Sequence, residues 1–246
     1  MPGSNTSRRS EPDAHSDRGC AGASSSSHCA PLDARTVQRI KFALFMVCLY
    51  PFASLVWLGF TGGLGADPVE FVRRATGTWT LDFLIITLSV TPFRRVTGWQ
   101  WLIRLRRMFG LYAFFYAAIH VVAYFWLDQL FDLAAIWRDV VKRPLIAAGF
   151  LSFVLMIPLA ATSTDRMVRR LGGKRWQQLH RAVYLVAVAG VIHFWWLVKI
   201  DYTRPLIYSM IIGGLLVARI VFRFARNRLA IDAAQNAARM RHSEAG

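Results

Sequence analysis

Three histidines of this chain stand in strongly apolar surroundings. His120 sits in "AAIHVVAYFWL", and His180 and His193 mark the two ends of "LHRAVYLVAVAGVIHFWW". An imidazole in such a place can ligate a metal, relay a proton, or hydrogen-bond a neighbouring helix. His120 lies eight residues before Asp128, and His193 six before Lys199. At the helical rise they therefore sit about 12 Å and about 9 Å from the same end of their segments. Two rings at one depth can meet, which suits bis-imidazole ligation of a single haem. His180 comes thirteen residues before His193, about 20 Å further along, where it can serve a second cofactor. The competing reading of all three is a membrane proton relay or transporter without haem, or plain helix packing.

Thirteen helical steps set His180 and His193 about 140° apart around their helix. Either a π-bulge or kink realigns them, or they serve different neighbours. Gly190, on the face of His193, admits either a flat macrocycle or a neighbouring helix. Tyr116 and Tyr124 flank His120 by one turn, and Tyr184 follows His180 by one turn; each can donate to a cofactor or quinone, or simply pack. Asp82, near the outer end of the second segment, can be a site acid, but it reads rather as a solvated interfacial carboxylate.

The elements that position these residues are membrane helices. Of the 246 residues 55% are hydrophobic, and mean hydropathy is +0.35. The apolar residues come in long blocks rather than with period 2 or 3.6. Six blocks span residues near 42–60, 76–93, 108–127, 144–164, 176–198 and 205–224, each long enough to cross about 30 Å of hydrocarbon. The expected fold is an all-α integral membrane protein, a six-transmembrane-helix bundle over residues 34–228. Before it, residues 1–33 are a polar tail of Ser, Gly, Pro and charge that reads as disordered. After it, residues 229–246 form a cytoplasmic tail.

The net charge of +16 is carried largely by clusters between blocks. "PFRRVTGWQWLIRLRRM" and "STDRMVRRLGGKRW" are strongly basic, whereas "TGGLGADPVEFVRRATG" and "DQLFDLAAIWRDVVKR" balance acids with bases. Basic loops stay inside, so both termini are expected in the cytoplasm, with Arg219 and Arg223 snorkelling to the interface. Tryptophans such as Trp79 and Trp176 fall near block ends, as an interfacial belt would. Nothing in this pattern suggests nucleic acid. Cys20, Cys29 and Cys48 show neither a disulfide framework nor a CxxC site.

Several stretches carry a resemblance: "GGLGADPVEFV" (62–72), "TGTWTL" (76–81), "RRMFGLYAFFYAAIHVVAY" (106–124), "TSTDRMVRRLGGKRWQQLHRAVYL" (162–185) and "HFWWLVK" (193–199). In this order they closely resemble the MsrQ (YedZ) family, over roughly residues 35–228. The resemblance implies a ferric-reductase-like haem-binding subunit of a bacterial protein-methionine-sulfoxide reductase system, multi-pass in the inner membrane. It implies a b-type cytochrome that carries electrons from the respiratory quinone pool to a periplasmic molybdenum-cofactor partner, MsrP. Such a subunit transfers electrons and performs no bond chemistry itself. FMN is a further cofactor associated with the family. Its haem-associated histidines match His120, His180 and His193. Wider relatives of the ferric-reductase class carry two histidines on each of two helices; here the inner position of the third helix is the Arg104–Arg107 region. The resemblance therefore gives an outer haem two ligands, His120 and His193, and an inner haem only His180. A self-contained reductase fed by NAD(P)H would need a soluble nucleotide-binding domain, and about 22 residues follow Phe224 with no GxGxxG fingerprint.

Overall fold

A computed structural model describes residues 34–99, 101–198 and 202–244. The polar segment 1–33, with Cys20, His28 and Cys29, lies outside them, as does Lys199. Every regular element among the described residues is helical. In chain order these are α1 (Ala34–Thr61), α2 (Pro68–Thr97), α3 (Leu102–Ala123), α4 (Leu133–Lys142), α5 (Pro144–Ala161), α6 (Asp165–Leu171), α7 (Gly173–Leu179), α8 (Val183–Leu197) and α9 (Thr203–Glu244). A π-helical turn, Tyr124–Asp128, prolongs α3, and a tight 3₁₀ turn, His180–Ala182, joins α7 to α8.

Local chemistry explains the boundaries. Gly62 (φ 71°) and Gly65 (φ 82°) turn the chain through left-handed conformations after α1, which a Cβ would strain. Asp67 then caps α2, accepting from the Glu70 N–H at 2.9 Å, with Pro68 in the first turn. Asp132 caps α4 in the same way, accepting from Ala134 and Ala135 at 3.0 Å.

Five stretches among the described residues are long and apolar enough to cross a membrane: Gln38–Thr61, Leu102–Asp128, Pro144–Ala161, Gly173–Leu197 and Thr203–Leu229. The chain is a multi-pass membrane protein. The second block expected from sequence lies within α2, which is longer than that block but less apolar. It carries Asp82 and the arginines at both ends. The reason is its place in the bundle. Leu81, Phe83, Leu84, Leu88 and Val90 of α2 are buried against neighbouring helices, so α2 is shielded by protein as well as by lipid. The outer helices instead expose large apolar side chains, such as Trp57, Phe60, Ile207 and Val217, the surface expected of a protein solvated by lipid.

At the core, Phe83 stacks on Tyr116 with ring centroids 5.2 Å apart and planes 4° apart. Trp79 packs edge-on against the same tyrosine at 5.3 Å. It therefore packs on the core. Arg219 also departs from expectation. Rather than snorkelling it is buried, donating to the Leu88 carbonyl at 2.8 Å and to the Tyr184 hydroxyl, with its guanidinium over the Tyr184 ring. These acceptors hold the charge inside more closely than water at the interface would.

Candidate functional site

His120 and His193 meet. Their ring centroids are 6.2 Å apart and their planes 83° apart. α3 brings one ring and α8 the other, while α2 and α5 back them. The His120 Nδ1 lies 3.0 Å from the Arg73 carbonyl and 3.3 Å from the Thr76 hydroxyl. That hydroxyl donates onward to the Val72 carbonyl at 2.7 Å. The His193 Nδ1 lies 2.6 Å from the Leu145 carbonyl on α5. A carbonyl only accepts, so Nδ1 carries the hydrogen in both rings, which leaves Nε2 as the nitrogen with a lone pair. A backbone carbonyl on the far nitrogen is the usual support of a metal-ligating histidine.

The separation of the two rings matches that of two imidazoles sharing one metal. With metal–nitrogen bonds of about 2 Å, two such rings have centres roughly 6 Å apart. Two glycines clear the way for the rings. A Cβ at Gly149 would lie 2.7 Å from the His193 Nδ1, and one at Gly77 would lie 3.1 Å from His120. Sequence reading missed both; the only signal was a glycine inside an apolar helix, where it is costly unless something comes close. Gly190, the glycine singled out from sequence, instead meets Leu81 of α2 and serves helix packing.

His180 is not part of this pair. Its ring stacks on Trp176 at 3.9 Å, its Nδ1 lies 3.1 Å from the Trp176 carbonyl, and its Nε2 is buried without a partner. The kink foreseen between His180 and His193 is the 3₁₀ turn at His180–Ala182. Three residues advancing about 120° each instead of 100° reduce the angular offset to roughly 80°. The two histidines still face different neighbours.

His180 lines a cavity of about 590 Å³ together with Lys41, Arg104, Arg106, Arg107 and Asp165. On the sequence alone the three arginines are loop charges that set topology. Here they wall a cavity, and only the fold reveals this. Arg107 pairs with Asp165, and this pairing holds the Asp165 carboxyl below the usual carboxylate range. An unpartnered imidazole nitrogen facing surplus positive charge suits a ligand that offers a coordination site or a hydrogen bond together with an anionic group.

The tyrosine hydroxyls point elsewhere. Tyr116 donates to the Cys48 carbonyl at 2.7 Å and Tyr124 to Asp139 at 2.9 Å, while Tyr184 accepts from Arg219. These are helix-to-helix ties, so the packing role explains them. Asp82 is half-buried and accepts a 2.6 Å hydrogen bond from Tyr208 of α9. It is therefore not the solvated carboxylate expected from its position.

Comparison with known proteins agrees with this architecture. The family described as "Ferric reductase like transmembrane component" matches residues 76–191. The protein-methionine-sulfoxide reductase heme-binding subunit MsrQ of Herminiimonas arsenicoxydans is 51% identical over 189 residues, 76% of this chain and 87% of that protein. The subunit of the same name from Ralstonia nicotianae is 50% identical, covering 79% and 92%. That of Rhodospirillum rubrum is 50% identical, covering 76% and 90%. Identity at this level along nearly the whole length of these relatives leaves one conclusion: the chain belongs to the MsrQ family.

Proposed function

We propose that this chain is a b-type haem subunit that passes electrons from the respiratory quinone pool to a periplasmic molybdenum-cofactor methionine sulfoxide reductase, MsrP, in the bacterial inner membrane. The observation that carries this reading is the His120–His193 pair, two carbonyl-braced imidazoles 6.2 Å apart. Bound haem supplies one-electron redox chemistry. His120 and His193 would hold it, Arg73, Thr76 and Leu145 would orient their rings, and Gly77 and Gly149 would give the rings room. His180 would serve a second cofactor in the basic cavity, either an inner haem or FMN, whose carboxylates or phosphate the arginines would meet.

We read α2 as the sixth crossing, because its length of 30 residues exceeds what about 30 Å of hydrocarbon requires. The basic stretches at the α2–α3 and α5–α7 junctions then lie in the cytoplasm with both termini. The histidine pair lies near the periplasmic face, where the last transfer to a periplasmic partner is short. Repair of oxidised periplasmic proteins follows from that partner's activity.

A reduced-minus-oxidised spectrum of the purified protein, with pyridine-haemochrome quantification, tests the reading. Low-spin b-type haem that is lost in His193→Ala is the expected result. Haem-free, well-folded protein from haem-replete cells would return the histidines to proton relay or packing.

A further inference from the structure

The pair of Asp82 and Tyr208 stands apart from everything used above. Asp82 is a carboxylate on α2 within the bundle, and its Oδ1 accepts from the Tyr208 hydroxyl at 2.6 Å. None of the ion pairs among the described residues includes it. The two polar groups open into a groove of about 500 Å³ between α2 and α9, whose other walls are Ile85, Ile86, Ile207 and Ile211. Ile86, Ile207 and Ile211 are exposed on the outer surface of the bundle, so the groove faces lipid. A carboxylate placed there is costly and marks function by default.

The residues around the groove also pack on α8, the helix that carries His193. The Tyr208 ring packs on Phe194 at 5.6 Å, the residue after His193. On the α2 side, Leu81, the residue before Asp82, meets Gly190, one turn before His193.

We propose that this groove binds the head group of a membrane hydroquinone and that Asp82 accepts its protons, with Tyr208 holding the carboxylate in place. A hydroquinone offers hydroxyl donors on a flat apolar ring, matched by the carboxylate and the isoleucine walls; a lipid acyl chain offers no donor. The proposal rests on the quinone-fed reading above. Each hydroquinone loses two electrons and two protons to become quinone. The electrons would leave one at a time to the haem that His120 and His193 would hold, which would supply the one-electron acceptor. With each electron an O–H bond of the quinol breaks, and its proton joins the Asp82 carboxylate, which passes it to water before the next. At a lipid-facing ring no water takes that proton directly from the quinol, so a carboxylate placed at the ring to accept it first is what the reaction needs.

The test uses the full-length protein in nanodiscs, a photoreactive azidoquinone, and a short-chain benzoquinol as reductant. Labelling is expected on peptides of α2 and α9 around Asp82 and Tyr208, competed by the unlabelled quinol, in both wild type and the haem-depleted His193→Ala. Asp82→Asn keeps an oxygen for the Tyr208 hydroxyl and so preserves the fold; it should slow quinol-driven haem reduction at least tenfold while dithionite reduction and haem content stay at wild-type levels. Label spread evenly over the lipid-facing helices would mean that acyl chains alone fill the groove, and would overturn the proposal. So would groove labelling with wild-type quinol rates in Asp82→Asn. Groove labelling in a wild-type protein that holds no haem would support the binding site while removing the haem reading.

Discussion

Gly149 of α5 stands so close to the imidazole of His193 that a Cβ at this position would lie 2.7 Å from Nδ1 and 2.8 Å from Cε1. Real side chains do not tolerate such contacts, and the atoms met belong to a ring already tied to the Leu145 carbonyl one turn earlier. Gly149→Ala is therefore expected to turn the His193 ring out of register with His120. The reading is a loss of at least half of the haem absorbance, with the protein still inserted and monodisperse on size exclusion. Full haem content with an unshifted spectrum would show that the ring can yield.

Gly77 supports the other ring less tightly, its Cβ meeting His120 at 3.1 Å and 3.2 Å. A contact of that length is relieved by a few tenths of an ångström of movement. Gly77→Ala should retain haem and alter the spectrum or midpoint potential only modestly. Ranking the two alanine variants by haem content checks this, since the opposite order would place the tighter constraint on α2.

Tyr116 lies one turn before His120, yet its hydroxyl donates away from the histidine pair to the Cys48 carbonyl of α1. Tyr116→Phe should cost about 1 kcal/mol for the lost hydrogen bond, more if the carbonyl stays unsatisfied. A lower thermal midpoint with an unchanged haem spectrum is the expected outcome. A spectral shift would mean that the hydroxyl acts on the site after all.

Asp165 ties α6 to Arg107 on α3 across the mouth of the basic cavity. Its carboxyl sits below the usual carboxylate range, chiefly through the Arg107 hydrogen bond. A depressed folded-state value makes this tie fully present above the ordinary carboxylate range and lost only as pH falls through the lowered value. Asp165→Asn should thus change anionic-ligand binding in the cavity at neutral pH, because it leaves one more cation unpaired. Global stability should scarcely change, since the pair is solvent-exposed. Titrating a soluble anionic probe such as FMN against both proteins measures the effect.

Five of the apolar blocks, and the meeting of His120 with His193, are readable from sequence, because helical rise converts residue counts to position along a segment directly. Three features are not. α2 carries charge within the bundle because its neighbours shield it, and shielding depends on packing between segments far apart in the chain. Arg219 and the Arg104–Arg107 cluster look like interfacial charges near block ends; whether an arginine reaches water or turns inward depends on which acceptors the other helices present. The Gly149–His193 contact joins residues 44 positions apart, and no periodicity reports it.

The last helix has a mechanical consequence. α9 runs unbroken for 42 residues, about 63 Å of rod, and Arg219 fastens it to α2 and α8 part-way along. Measured from that fastening, the arm towards Glu244 is about 38 Å long and the arm towards Thr203 about 24 Å. α9 is thus a long rod tied to α2 at two levels, by Tyr208 and by Arg219, with its longer arm beyond Arg219. A change at the groove that tilts this rod is therefore expected to shift a probe placed near Glu244, far from Tyr208.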